Sequence, residues 1–161
     1  MAPVVTDARP AGRPPEPGAL PTRIVAKGAP LVTRLRTSLV TRMAEKRNRE
    51  AEQRIKSIEP LWSRMVEYAR ESAVTGASYS DYLTLWEQVR AFRPREVLEL
   101  GTGLSTVVLA EALRANEAEG AKRGRVTSME EDASWHALAA ERLPQALRPL
   151  VDLRLSPKVD G

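Results

Sequence analysis

Two rhythms of hydrophobic and polar residues divide this chain of 161 residues. From residue 95 onward, short apolar runs typical of strands alternate with longer runs typical of helices. This pattern predicts strands at 96–100, 125–130 and 150–155, and helices at about 104–115 and 133–142. Strands that alternate with helices of this length form right-handed βαβ units, so the predicted fold class is α/β with a parallel sheet of three strands.

The part of the chain before that sheet follows a helical rhythm. Apolar residues three or four positions apart predict a first helix over 31–56, and they are Val32, Leu35, Leu39 and Met43. Two more helices are predicted, at about 58–74 with Pro60 in the first turn and at about 78–92. Pro94 is expected to end the last of them and to push Arg93 into extended geometry.

A proline-rich segment precedes these helices. Residues 1–30 hold seven of the twelve prolines and few large apolar side chains. Such a composition buries too little apolar surface to offset the entropy of ordering, so we expect a disordered tail. The predicted organisation is therefore a tail at 1–30, a helical N-terminal extension at 31–94 and a partial binding domain at 95–161.

Composition narrows the class of protein. The chain has no cysteine and one histidine, which excludes disulfides, thiolate metal sites and clusters of several histidines. No apolar run approaches the roughly 18 residues that a transmembrane helix needs. The N-terminus lacks the basic-then-apolar pattern of a signal peptide, so the expected compartment is the cytoplasm.

Charge argues against a nucleic-acid partner. The net charge is +4, but residues 95–161 hold 9 basic and 11 acidic side chains, so the basic excess belongs to the N-terminal part. The basic run at 42–49 is interleaved with glutamates at helical spacings and contains no aromatic residue. These features favour a solvated helix surface.

The most informative segment is residues 96–106. A mostly apolar strand carries an acid, Glu99, two residues before Gly101, and a Gly-x-Gly turn leads into a helix-like run. A strand, a glycine turn and a helix N-terminus bring backbone N–H groups close to an anionic or zwitterionic ligand, and Gly101 and Gly103 remove Cβ atoms that would block it. The next strand ends in Glu130, which can accept hydrogen bonds from ribose hydroxyls.

At these residues the chain resembles the class I S-adenosylmethionine-dependent methyltransferases. The run from Val97 to Gly103 looks like the first motif of that family, and Val126–Glu130 looks like the second. The resemblance covers residues 95 to about 155. It implies a partial Rossmann-like sheet, S-adenosylmethionine as cofactor, and methyl transfer to an unidentified small-molecule acceptor. The residues that it assigns to the cofactor are Glu99, Gly101, Thr102, Gly103, Ser105, Thr106 and Glu130. It assigns no catalytic residue and no metal.

Two alternatives stay open. A nicotinamide-dependent oxidoreductase would carry the pattern G-x-G-x-x-G/A, but its last position is Thr106 here, and Glu99 would repel a pyrophosphate. The other alternative is a non-catalytic or regulatory module whose first helix binds a partner through Leu35, Leu39 and Met43.

The resemblance also implies missing strands. In that family the sheet has seven strands and the first is central, whereas only three are predicted before Gly161. Either the sequence is truncated, or a second chain supplies the missing edge. An apolar strand with an open edge is a template for association, so we expect this fragment to be inactive and to self-associate.

Overall fold

The computed structural model describes residues 31–70 and 77–157. In chain order the elements are α1 (Leu31–Lys56), α2 (Leu61–Ala69), α3 (Tyr79–Phe92), β1 (Glu96–Leu100), α4 (Leu104–Ala118), β2 (Arg125–Glu130), α5 (Ala133–Arg142) and β3 (Val151–Leu155). A short 3-10 turn at Arg148–Leu150 precedes β3. The α/β fold class is confirmed, and the predicted tail at 1–30 lies outside the described residues. No helix in the described part is long and apolar enough to cross a membrane.

The three strands form one parallel sheet in the order β1-β2-β3. The register places Glu99 beside Ser128, and Ser128 beside Leu153. Because all strands run in the same direction, their carboxyl ends meet at one edge of the sheet. This is a Rossmann-like arrangement, and in open α/β sheets of this kind ligands bind at that edge.

Helix α4 is the centre of the hydrophobic core. Its residues Val107, Val108 and Leu113 are almost completely buried, and they pack in one cluster with Val126 of β2 and with apolar side chains of α2 and α3. Burying one such aliphatic side chain stabilises a fold by about 1.5–3 kcal/mol. The start of α4 is thereby held firmly against the sheet, directly after the glycine turn.

The same helix buries a charge. Glu111 has no exposed surface, and its carboxylate accepts hydrogen bonds from Arg114 at 2.6–3.0 Å and forms an ion pair with Arg64 at 3.0 Å. Removing one partner of such a buried pair costs about 3–5 kcal/mol, because an uncompensated charge is left behind. Arg64 lies on α2, so the ion pair fixes α2 against α4.

Two local predictions were wrong. Helix α2 begins at Leu61 and not at about residue 58, so Pro60 precedes the helix instead of lying in its first turn. Residues 71–74 of the predicted helix lie outside the described residues. Arg93 is left-handed, with φ 48° and ψ 50°, instead of extended. Its N–H donates a hydrogen bond of 3.0 Å to the carbonyl of Val89 at the end of α3. Because this hydrogen bond satisfies a carbonyl that has no partner within the helix, it favours the left-handed conformation of Arg93.

Gly124, just before β2, is the tightest glycine of the fold. A Cβ at this position would lie 2.8 Å from Leu113 Cδ2 and 2.9 Å from the backbone oxygen of Pro94. We expect Gly124→Ala to lower the free energy of unfolding by about 1–3 kcal/mol, the usual penalty for overpacking, in urea denaturation. Gly103→Ala is the matched control, because its Cβ would meet only Ser105 Oγ at 3.9 Å. Equal stability of the two variants would contradict this packing.

Candidate functional site

A cavity of about 440 Å³ opens at the carboxyl ends of the strands. Its lining residues are Leu100, Gly101, Met129, Glu130, Glu131 and Ser156. The cavity therefore lies where the β1–α4 turn and the end of β2 meet, and this is the edge that the sequence motifs predict. No group of acidic, histidine or cysteine side chains within residues 31–70 and 77–157 could hold a metal ion.

The two glycines of the turn have different structural roles. Gly101 has φ +88°, a conformation that side chains with a Cβ rarely adopt, and its N–H donates a 2.7 Å hydrogen bond to the carbonyl of Met129. Gly103 is extended, with φ 178°, so its backbone does not require glycine. What Gly103 provides is open space at the start of α4, because no heavy atom lies closer than 3.9 Å to a Cβ built there.

Glu99 connects three elements through one oxygen atom. Its Oε2 accepts hydrogen bonds from Thr106 Oγ1 of α4 and from Ser128 Oγ of β2, each at 2.6 Å. The Gly103 N–H donates to the same Thr106 hydroxyl at 3.1 Å, which directs the hydroxyl hydrogen toward Glu99. The carboxylate thereby fixes the direction in which the chain leaves β1 and enters α4.

The other oxygen of Glu99 is buried and has no hydrogen-bond partner among the described residues. A buried acceptor without a partner typically costs about 1–3 kcal/mol, and more when the group is charged. The unpartnered atom belongs to a residue two positions before Gly101, near the carboxyl end of β1. A cationic hydrogen-bond donor from a ligand would satisfy it.

The carboxylate of Glu130 accepts hydrogen bonds from the glycine turn. Its Oε2 accepts hydrogen bonds from the N–H of Thr102 at 3.0 Å and from the Thr102 hydroxyl at 3.2 Å, and its Oε1 accepts from the N–H of Asp132 at 3.0 Å. Partial burial raises the pKa of Glu130, but these hydrogen bonds and one from the N–H of Glu131 lower it more, so the net pKa lies below the usual value. Glu130 is therefore ionised at neutral pH and holds the turn against β2.

The predicted site residues thus form two clusters on either side of the turn. Glu99 and Thr106 form one, and Glu130 and Thr102 form the other. Ser105 lies in the first turn of α4, and its side chain makes no hydrogen bond within the described ranges.

Two neighbours of these clusters were not identified from the sequence. Ser128 donates to Glu99, and a serine at the position of β2 on the same face as Val126 was the signal that could have pointed to it. Tyr68 of α2 is buried near the strand ends, and a tyrosine within an apolar helix stripe usually needs a polar environment for its hydroxyl. Burial raises its pKa, Arg142 lowers it, and the nearby charges of Glu99 and Glu130 raise it further. The Tyr68 phenol is therefore neutral at neutral pH and lies within the electrostatic range of both carboxylates.

Comparison with solved structures shows a structural likeness to a methyltransferase. Neither a protein-family model nor a curated protein matches this chain. A crystal structure of a methyltransferase from Geobacter sulfurreducens is similar, with a TM-score of 0.47 and 20% sequence identity. The likeness covers 63% of this chain and 51% of the other, so this chain spans about half the length of that protein.

Removal of the Thr106 hydroxyl tests the Glu99 network. We expect Thr106→Val to lower the free energy of unfolding by about 1–3 kcal/mol, because the Glu99 carboxylate and the Gly103 N–H each lose a partner. Thr127→Val is the matched control, since Thr127 lies next to Ser128 on β2 and points to the opposite face of the sheet. Urea denaturation of both variants measures the difference, and a loss no larger than that of the control would argue against the network.

The lowered pKa of Glu130 predicts a pH dependence of stability. A carboxyl whose pKa is lower in the folded state stabilises the fold above its unfolded pKa, near 4.5, and loses that contribution as the pH falls through the folded value. The stability difference between wild type and Glu130→Gln should therefore be constant near neutral pH and shrink below about pH 4.5. Denaturation across a pH series measures it. Thr102→Val should make the stability of the protein depend less on pH in this range. A stability difference between wild type and Glu130→Gln that does not change with pH would contradict the lowered pKa of Glu130.

Proposed function

We propose that this protein binds S-adenosylmethionine and serves in methyl transfer to a small-molecule acceptor. The observation that carries the proposal is the buried, unpartnered Oε1 of Glu99 beside the glycine turn. It calls for a cationic donor at the position where a turn of this type approaches its ligand. S-adenosylmethionine has such a donor in the ammonium group of its methionyl part.

The charges at the strand ends favour this ligand over a dinucleotide. Glu99, Glu130 and Glu131 all lie at the end of β1 or β2. At an effective dielectric constant of 20, two unit charges 4 Å apart interact with about 4 kcal/mol. The acidic side chains attract a positively charged ammonium or sulfonium group and repel a negatively charged pyrophosphate. The same acids therefore support S-adenosylmethionine and argue against a nicotinamide dinucleotide.

Each part of the chain has a distinct task in this proposal. Glu99 binds the ammonium group through Oε1, and the first turn of α4 offers N–H groups without intrahelical partners to the methionyl carboxylate. Gly101 and Gly103 leave room for the ligand to approach the backbone. Glu130 accepts hydrogen bonds from the ribose hydroxyls. The bound cofactor supplies an electrophilic methyl group, and the protein contributes by positioning it.

Ribose binding requires an exchange at Glu130. A carboxylate offers about four acceptor positions, and the N–H and hydroxyl of Thr102 and the N–H groups of Glu131 and Asp132 fill them. A ribose hydroxyl therefore replaces the Thr102 hydroxyl on Oε2. The backbone hydrogen bond from Thr102 can stay, so the turn keeps its position while the side chain rotates away.

A specific observation also favours the alternative of an interaction module. Leu39 and Met43, one turn apart on α1, are exposed, as is the neighbouring Val40. Leu35, the third residue of the predicted stripe, belongs to the part of α1 whose side chains are not described. In this alternative the stripe binds a partner, and Leu39→Glu would abolish that binding without changing the affinity for S-adenosylmethionine.

Calorimetric titration with S-adenosylmethionine tests the proposed function. We expect wild type to bind, and Gly103→Val to lose binding because its side chain fills the space that the ligand enters. The fold tolerates this change, since the backbone of Gly103 is extended and its surroundings are open, and circular dichroism verifies it. Glu130→Gln should lose about 1.5–3 kcal/mol of binding free energy, the range for hydrogen bonds to charged groups, which is about a 10- to 150-fold weaker affinity.

Two outcomes would refute the proposed function. One is an unchanged affinity of Gly103→Val for S-adenosylmethionine. The other is binding of NAD with no competition from S-adenosylmethionine, which would establish the dehydrogenase alternative.

A further inference from the structure

A second cavity, of about 280 Å³, lies on the other side of the glycine turn. It is a half-open pocket lined by residues of α1 and α2, of the start of α3 with the two residues before it, and of the start of α4. Its lining residues are Asn48, Trp62, Met65, Val66, Ala69, Ala77, Ser78, Tyr79, Tyr82 and Leu104. Leu104 directly follows Gly103, so the wall of this cavity is continuous with the turn that the candidate cofactor site uses.

The described residues that line this cavity carry no charge. None of its ten residues is acidic or basic, whereas the cavity at the strand ends is lined by Glu130 and Glu131. Trp62, Met65 and two tyrosines that contact each other edge to face, Tyr79 and Tyr82, provide a mainly apolar and aromatic wall. Moving a charge from water into such surroundings without a partner is costly, so the cavity selects an uncharged molecule.

A few polar groups are available to orient that molecule. The side-chain oxygen of Asn48 accepts a 3.2 Å hydrogen bond from the N–H of Ser80, which leaves the amide nitrogen of Asn48 as its donor toward a ligand. Burial, and then the charge of Asp81, raise the pKa of Tyr82, so its hydroxyl stays neutral and can donate or accept. An apolar pocket with a small number of placed polar groups is the usual form of a small-molecule site.

Helix α2 joins this cavity to the candidate cofactor site. One face of the helix points into the cavity, at positions spaced i, i+3, i+4 and i+7: Trp62, Met65, Val66 and Ala69. Tyr68 of the same helix lies close enough to Glu99 and Glu130 for their charges to affect its titration. The ion pair between Arg64 and Glu111 fixes the helix in this position.

We propose that this cavity binds the methyl acceptor and that the acceptor is an uncharged, largely apolar molecule of one or two rings. The size follows from volume, because a cavity of about 150 Å³ holds one benzene molecule. The acceptor role rests on the proposed function. In the transfer, a nucleophilic atom of the acceptor forms the new bond to the methyl carbon. The carbon–sulfur bond breaks, its electron pair stays on sulfur, and the acceptor's proton leaves to water.

Calorimetric titration of the full chain with 2-naphthol, without S-adenosylmethionine, tests the cavity. The negatively charged 2-naphthoate is the matched probe, and we expect it to bind at least tenfold more weakly. Val66→Phe fills the cavity from a partly exposed helix position and should weaken 2-naphthol binding at least tenfold. Val40→Phe is the matched control, because Val40 is exposed on α1 and outside the cavity, and it should leave the affinity unchanged.

The outcomes separate this inference from the proposed function. If 2-naphthol does not bind, binds no better than 2-naphthoate, or binds Val66→Phe as well as wild type, the assignment of the cavity is wrong, even if S-adenosylmethionine binds. If S-adenosylmethionine does not bind, the proposed function fails and the acceptor role fails with it, whatever the result with 2-naphthol. Simultaneous binding of both molecules to wild type, with only 2-naphthol lost in Val66→Phe, supports the inference.

Discussion

The candidate site depends on two hydroxyl hydrogen bonds to a single carboxylate oxygen. Thr106 and Ser128 each donate to Oε2 of Glu99 at 2.6 Å, so one atom of β1 holds both the start of α4 and the middle of β2. Hydrogen bonds to a charged group contribute about 1.5–3 kcal/mol each, roughly twice the value for neutral pairs. Because this structural task needs only Oε2, Oε1 is left buried without a hydrogen-bond partner among the described residues.

Glu130 differs from Glu99 in how its two carboxylate oxygens are used. Both of its oxygens accept hydrogen bonds from the protein, so its carboxylate stabilises the turn against β2. In the proposed function, a ribose hydroxyl that replaces the Thr102 hydroxyl keeps Oε2 of Glu130 satisfied. Glu99 would then contribute an unsatisfied atom to binding, whereas Glu130 would exchange a hydrogen bond within the protein for one to the ligand.

Local sequence signals predicted the elements well and the contacts between them less well. The strands at 96–100 and 125–130 and the helix at 133–142 have the predicted bounds, because their periodicity and their turn residues are local. The pair of Glu99 and Ser128 depends on the register of two strands, which joins residues 29 positions apart. Tyr68 reaches the strand ends because a buried ion pair positions α2. No local pattern encodes either contact, and the left-handed Arg93 likewise depends on a helix-end carbonyl that only the folded backbone presents.

The topology explains why one face of the sheet is covered and the other is not. The order β1-β2-β3 advances in one direction, so both right-handed crossovers place their helices, α4 and α5, on the same face. Glu99 and Ser128 point to that covered face together with Val97 and Val126, since side chains alternate along a strand. The intervening residues of β1, Leu98 and Leu100, point the other way and are 66% and 80% exposed. The Glu99 network is thus built entirely on the covered face, where α4 excludes water and makes its short hydrogen bonds effective.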